Sequence, residues 1–227
     1  MHGMKIGAIT IGQAPRTDVT CDIMDIFEGK AELVERGGLD GLTKEDISCF
    51  KPDKGDYVLV SRLLDGTSVT FAERYILDSL QKGIDELEAE GVKLIMVFCT
   101  GSFPASLTSH VPMIFPCDIL HKIVPLLTKN SCIAAVTPSS LQLEQNTLKW
   151  KGYVKSCISV AASPYGDMGT MEAAAEEIRQ MEEPDLVVLD CIGFTQEMKK
   201  MFSRVTGKPV VLPRTLLARV VSEITDI

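Results

Sequence analysis

Leu94-Ile95-Met96-Val97-Phe98-Cys99-Thr100-Gly101 and Leu186-Val187-Val188-Leu189-Asp190-Cys191-Ile192-Gly193 share one plan, a short apolar run that ends in Cys-x-Gly. Four or five consecutive apolar residues closed by glycine are too few for a helix. They read as strands covered on both faces, the kind found in parallel sheets. Two more pairs flank them in the same order. Lys5-Ile6-Gly7-Ala8-Ile9-Thr10 matches Cys132-Ile133-Ala134-Ala135-Val136-Thr137, and Val111-Pro112-Met113-Ile114-Phe115-Pro116 matches Lys208-Pro209-Val210-Val211-Leu212-Pro213. Three matches in register point to two similarly built halves. The fold class expected is α/β, with two pseudosymmetric lobes, each a short and mainly parallel sheet flanked by helices, and an active site in the cleft between them.

The other elements fit this plan. Strands are expected at Lys5–Thr10, Tyr57–Ser61, Leu94–Phe98, Met113–Phe115, Cys132–Thr137, Cys157–Val160, Leu186–Asp190 and Val210–Leu212. Helical spacing predicts helices over Phe71–Glu90, Asp118–Leu127, Ser140–Lys149, Met171–Met181, Gln196–Val205 and Thr215–Ile224. In the first of these, Ile76, Leu80, Ile84 and Leu87 form one apolar stripe. The first lobe is expected to comprise residues 1–116 plus 213–227, and the second 117–212. Thr10 lies much further from Cys99 than Thr137 does from Cys191, so the first lobe is expected to carry an insertion around 32–69, rich in turn chemistry such as Asp65-Gly66-Thr67.

Composition bounds the function. The 227 residues are 45% apolar and carry a formal charge of −8, enough for an ordinary core but lacking the basic patch of a nucleic-acid or anionic-membrane binder. No apolar run approaches the ~18 residues of a membrane span, and Met1-His2-Gly3-Met4-Lys5 has no secretory layout. The expectation is a cytoplasmic protein with no nucleic-acid or membrane partner; homo-oligomerisation is left open. Seven widely spaced cysteines without Cys-x-x-Cys argue against a disulfide framework or structural zinc. His2, His110 and His121 lack ligand-spaced partners, so no metal is expected. Ile11-Gly12-Gln13-Ala14-Pro15 lacks the later glycines of a dinucleotide loop, and no cofactor is expected.

In parallel sheets ligands bind beyond the carboxyl ends of the strands, where Thr10, Cys99, Thr137 and Cys191 all fall. Two opposed thiols suit proton transfer at a carbon next to a carboxylate: one, as thiolate, takes the proton while the other delivers one to the far face. Thr100, Gly101 and Ser102 near one thiol, and Gly193 and Thr195 near the other, could stabilise the enolate-like intermediate. Thr195 also fits as an N-cap. Arg16 could clamp a carboxylate with its planar fork; Arg62 and Thr67 are further binding candidates, and Phe194 could wall the site. Asp190 should point away from Cys191, because strand neighbours alternate. Cys21, Cys132 and Cys157 read as packing residues. Cys49 falls in the variable loops, and Cys117 has no thiol counterpart in the second half.

Thr10-Ile11-Gly12-Gln13-Ala14-Pro15-Arg16-Thr17-Asp18, Leu64-Asp65-Gly66-Thr67, Cys99-Thr100-Gly101, Leu189-Asp190-Cys191-Ile192-Gly193-Phe194 and Leu216-Leu217-Ala218-Arg219 together resemble the AroM protein family, nearly end to end. That family is similar in turn to the aspartate/glutamate racemase superfamily, with its hydantoin racemases, maleate cis–trans isomerases and arylmalonate decarboxylases. The resemblance implies two pseudosymmetric lobes with a cysteine at the end of a central strand in each. Racemases usually follow the first cysteine with Asn and a hydroxyl residue, where this chain has Thr100-Gly101. They often follow the second with Thr-His, where this chain has Ile192-Gly193. The thiol pair is kept, while two side chains that hold substrate or tune a thiol are replaced.

The expected function is therefore a cofactor-independent racemase or isomerase acting on a small carboxylate-containing molecule through Cys99 and Cys191. The alternatives are a related lyase or decarboxylase using one cysteine, a non-catalytic binding module for a small carboxylate, and a redox switch through a Cys99–Cys191 disulfide.

Overall fold

The computed structural model describes residues 3–227; Met1 and His2, with the start-of-chain reading made on them, lie outside the described residues. The chain folds into two four-stranded parallel sheets. In the first the order is β2 (Ala31–Gly37), β1 (Met4–Thr10), β5 (Ile95–Phe98) and β6 (Met113–Ile114); in the second it is β10 (Val210–Val211), β9 (Leu186–Leu189), β7 (Cys132–Thr137) and β8 (Ser156–Ala161). β1 corresponds to β7, β2 to β8, β5 to β9 and β6 to β10. The three sequence matches are thus the three strands that each half repeats in register.

The fourth repeated strand was not expected. Ala31–Gly37 lies in the predicted insertion yet pairs with β1 along its whole length, as β8 pairs with β7. Its alternation is blurred by Glu32, Glu35 and Arg36, because an edge strand is only half covered. The segment without a counterpart therefore begins after Gly37. It holds α2 (Lys44–Ser48) and an antiparallel hairpin of β3 (Val58–Arg62) and β4 (Ser68–Ala72). The hairpin also corrects the predicted helix over Phe71–Glu90. Its β-branched residues pair across the turn at Gly66, whose φ of +87° glycine adopts without strain. α3 starts only at Leu77 and runs to Ala89. Its stripe is as expected, with Leu80, Ile84 and Leu87 buried against the first sheet.

The remaining helices are α1 (Thr17–Phe27), α4 (Pro116–Leu127), α5 (Leu143–Trp150), α6 (Met168–Arg179), α7 (Gln196–Thr206) and α8 (Pro213–Thr225). α4 and α8 are exchanged between the halves. Leu120 and Val124 of α4 pack on Ile133, Ala135 and Val188 of the second sheet. Leu217, Ala218 and Val221 of α8 pack on Ile6 and Ala8 of the first. Both helices open on proline at the first turn, where its missing N–H costs nothing. Each half's last helix thus buries its apolar stripe on the other half, which fixes the two sheets against one another. Among the described residues, no helix is long and apolar enough to cross a membrane.

Candidate active site

β1 and β5 end together, Thr10 pairing with Phe98; in the second sheet Val136 pairs with Leu189, so Thr137 stands beside Asp190. The next residues are Cys99 and Cys191. Both thiols are buried, each 7% exposed, and both line one tight cavity of about 40 Å³ between the sheets, room for a few water molecules. Their local geometry is duplicated. The Gly101 amide donates to Cys99 Sγ at 3.3 Å, and the Gly193 amide donates to Cys191 Sγ at 3.4 Å. The glycine amides expected to face a bound anion are turned onto the sulphurs, where they favour thiolate over thiol.

The surroundings of the two thiols differ. Burial pushes the Cys99 thiol up to about 12, with the Gly101 amide working against it. Burial also raises Cys191, but there the Gly193 amide, the Arg16 charge and the Tyr165 hydroxyl all oppose it. Arg16 is only 3% exposed. Its Nε and Nη2 hold the two carboxylate oxygens of Asp18 at 2.8 Å each, while Nη2 also donates to Tyr165 Oη at 3.1 Å. Arg16 comes from the first half and Tyr165 from the second, so this bond closes one side of the cavity. Tyr165 Oη rests over Gly193, 2.3 Å from where a Cβ would stand. Glycine is required there by space rather than by φ.

The opposite wall is a clasp. Gln145 accepts from the Val58 amide at 2.7 Å and donates to the Val58 carbonyl at 3.0 Å, and Gln142 donates to the same carbonyl at 2.9 Å. These bonds tie α5 and the turn before it to the hairpin. Beneath the clasp Lys149 pairs with Asp190 at 2.6 Å and donates to the Thr100 carbonyl at 3.1 Å. Burial works against the Lys149 charge, but Asp190 beside it leaves its pKa raised; burial likewise opposes the Asp190 charge, and Lys149, Trp150 and Asn146 hold that carboxyl below its ordinary range. Asp190 Oδ2 is held within this cluster by Lys149, Asn146 and Trp150, and the residue also lines the cavity. Outside the clasp, a wider cleft of about 800 Å³ shares Tyr57, Gln145 and Lys149 with the cavity.

Of the sequence-predicted binding residues, Arg16, Thr100, Gly101 and Thr137 line the cavity. Thr10 stands behind Arg16, its Oγ1 3.4 Å from Nη1. Ser102 lies in the outer cleft with Oγ on Cys117 Sγ. Arg62 occupies a side crevice and donates to the Gly66 carbonyl, and Thr67 is exposed in the hairpin turn. Gly193 serves Cys191 through its amide. Phe194 is fully buried in the second core beside Phe202. Thr195 caps α7, accepting from the Met198 amide, and is not brought to the cavity. Sequence reasoning missed Ser61, Tyr165 and the set Gln142, Gln145, Asn146 and Lys149. The last set had a signal, a polar stripe at helical spacing on an element that packs inward.

The sequence profile of the AroM protein family matches residues 6–225. The chain belongs to the AroM family. Among curated proteins nothing matches it significantly. Solved structures similar to this AroM family chain include an aspartate racemase from Picrophilus torridus (14% identity, TM-score 0.61, covering 99% of this chain and 95% of that one). The maleate isomerase Iso from Pseudomonas putida S16 is similar at 15% identity and TM-score 0.63, with 99% and 93% covered. An unliganded arylmalonate decarboxylase gives 14% and 0.62, with 97% and 91% covered. At such identities the likeness is one of fold. The AroM family chain has the two-lobe α/β architecture of racemase-like proteins.

Proposed function

We propose that this AroM family protein is a cofactor-independent racemase or isomerase acting at a carbon next to a carboxylate or carbonyl, with Cys99 and Cys191 as its proton-handling pair. One observation carries the reading: two thiols from repeated strand ends enter the same cavity, each accepting from the amide of the glycine two residues on. In one direction the Cys191 thiolate removes the α-proton. The C–H electron pair passes into the enolate and onto the carbonyl oxygen, and the Cys99 thiol then protonates the opposite face. The Arg16 charge and the Tyr165 hydroxyl favour the thiolate form of Cys191, which assigns it the base in this direction and Cys99 the acid. The reverse direction exchanges the roles.

A second reading, a binding module without turnover, is favoured by the raised pKa of both thiols. Solvent-deuterium incorporation into a panel of amino acids, hydantoins and small carboxylic acids separates the two. The proton-transfer reading expects exchange in at least one compound, lost in Cys99→Ser and Cys191→Ser. Ligand-induced stabilisation with no exchange, or exchange unchanged in both variants, overturns it.

A further inference from the structure

Among the described residues, only two cationic side chains, Arg16 and Lys149, line the cavity, and each already holds a carboxylate of the protein. Arg16 spends Nε and Nη2 on both oxygens of Asp18. That is the bidentate arrangement an incoming carboxylate would need. Lys149 is paired with Asp190 at 2.6 Å, in a pair whose side chains are 5% and 0% exposed. The wall therefore brings as much negative charge as positive. Arg62 stands outside, in the side crevice beyond Asp18, and the Arg214 charge is taken by Asp22 at 3.1 Å.

One corner keeps donor capacity. Arg16 Nη1 reaches Ser61 Oγ at 3.3 Å and Thr10 Oγ1 at 3.4 Å, both beyond the usual N–H···O distance. Nη1 and the Ser61 hydroxyl can close on one carbonyl or carboxylate oxygen without breaking the Asp18 fork. A second carboxylate would meet no comparable donor set: the Lys149 ammonium is held by Asp190 Oδ2 and the Thr100 carbonyl, and Asp190 Oδ1, buried without a partner among the described residues, repels an anion. A charge left unpaired in so tight a space carries a large desolvation penalty. A Cys191 thiolate would add to it.

We propose that the cavity accepts a substrate carrying at most one negative charge, a monocarboxylate or a neutral cyclic amide with an oxygen at the Arg16–Ser61 corner, and discriminates against dicarboxylates. The proposal rests on the preceding reading only in taking this cavity as the substrate site.

Calorimetric titration of the whole protein at constant ionic strength, with lactate against malate, alanine against aspartate, and hydantoin as the neutral probe, tests it. The expected result is binding of a monoanion or of hydantoin, with any bound monoanion at least ten-fold tighter than its matched dicarboxylate. Asp18→Asn, which frees the Arg16 fork and removes one negative charge, should move that ratio ten-fold or more toward the dicarboxylate. A dicarboxylate bound by the wild type as tightly as its partner overturns the proposal, as does binding of none of the probes or an unmoved ratio in a folded Asp18→Asn variant. The wild-type comparison decides the matter even if that variant does not fold. Binding of monoanions without deuterium exchange would sink the proton-transfer reading and leave this proposal standing.

Discussion

Substituting Gly193 with alanine probes the contact between the Cys191 turn and Tyr165, the residue of the same half that Arg16 of the first half holds. An added Cβ would lie 2.3 Å from Tyr165 Oη, 2.6 Å from Cζ and 2.8 Å from Cε1. The ring, and not merely its hydroxyl, must therefore move. Overpacking of this kind costs about 1–3 kcal/mol. Displacing the ring also breaks the 3.1 Å bond from Arg16 Nη2, a charged hydrogen bond worth about 1.5–3 kcal/mol. The two losses overlap, so the expected cost is about 2–4 kcal/mol. In a chain of this length that lowers the melting temperature by roughly 5–15 °C. The assay is a double-mutant cycle by urea denaturation. In a Tyr165→Ala background the space is free, and Gly193→Ala should cost less than about 1 kcal/mol, giving a coupling of at least about 1 kcal/mol. An equal cost in both backgrounds would refute the packing argument.

Further outcomes follow from the same geometry. Tyr165→Phe should raise the pH midpoint for alkylation of Cys191 and leave that of Cys99 unchanged, as read by peptide-resolved mass spectrometry, because the hydroxyl opposes burial only at Cys191. Gln145→Ala removes two bonds of the clasp, about 1–3 kcal/mol in total; if opening of the cavity limits reagent entry, Cys99 should react with iodoacetamide roughly 5- to 100-fold faster. Lys149→Met leaves the fully buried Asp190 carboxylate without its cation and should cost about 3–5 kcal/mol in urea denaturation, part of it recovered by adding Asp190→Asn. Burial raises Glu73 from 4.5 to about 7, and its Oε1 has no hydrogen-bond partner among the described residues. Its contribution to stability is therefore complete below pH 4.5 and lost as pH rises through 7. Glu73→Gln should stabilise by about 1–2 kcal/mol at pH 8, after allowance for solvent screening of a half-buried group, and should give no gain at pH 4.

The repeated strands were legible because a strand covered on both faces must be written in apolar residues, and Cys99-x-Gly101 and Cys191-x-Gly193 mark where each central strand leaves its sheet. β2 was hidden because it is an edge strand in which Glu32, Glu35 and Arg36 fall on both faces and break the apolar alternation. The end of the Ser68–Ala72 strand, Phe71 and Ala72, reads as the start of a helix because its pairing with β3 is set by tertiary contact and not by local spacing. The thiols could be singled out by position alone. The fate of Arg16 could not: its carboxylate partner lies two residues away at Asp18, but Tyr165 comes from the other half. Thr195 was recognisable as a cap from its place before α7, and capping is what occupies its hydroxyl. Lys149 and its neighbours formed a polar stripe that local reading assigns to solvent, and only the burial of α5 against the hairpin turns it inward.

The claim that two thiols act across one cavity is tested most directly by the isotope pattern of a single passage over an exchangeable substrate. With one enantiomer in deuterated water at early conversion, the account predicts deuterium in the newly formed enantiomer and none in the recovered starting enantiomer, since each thiol serves one face. Deuterium appearing equally in both enantiomers would mean that one base serves both faces, and would contradict the pairing of Cys99 with Cys191.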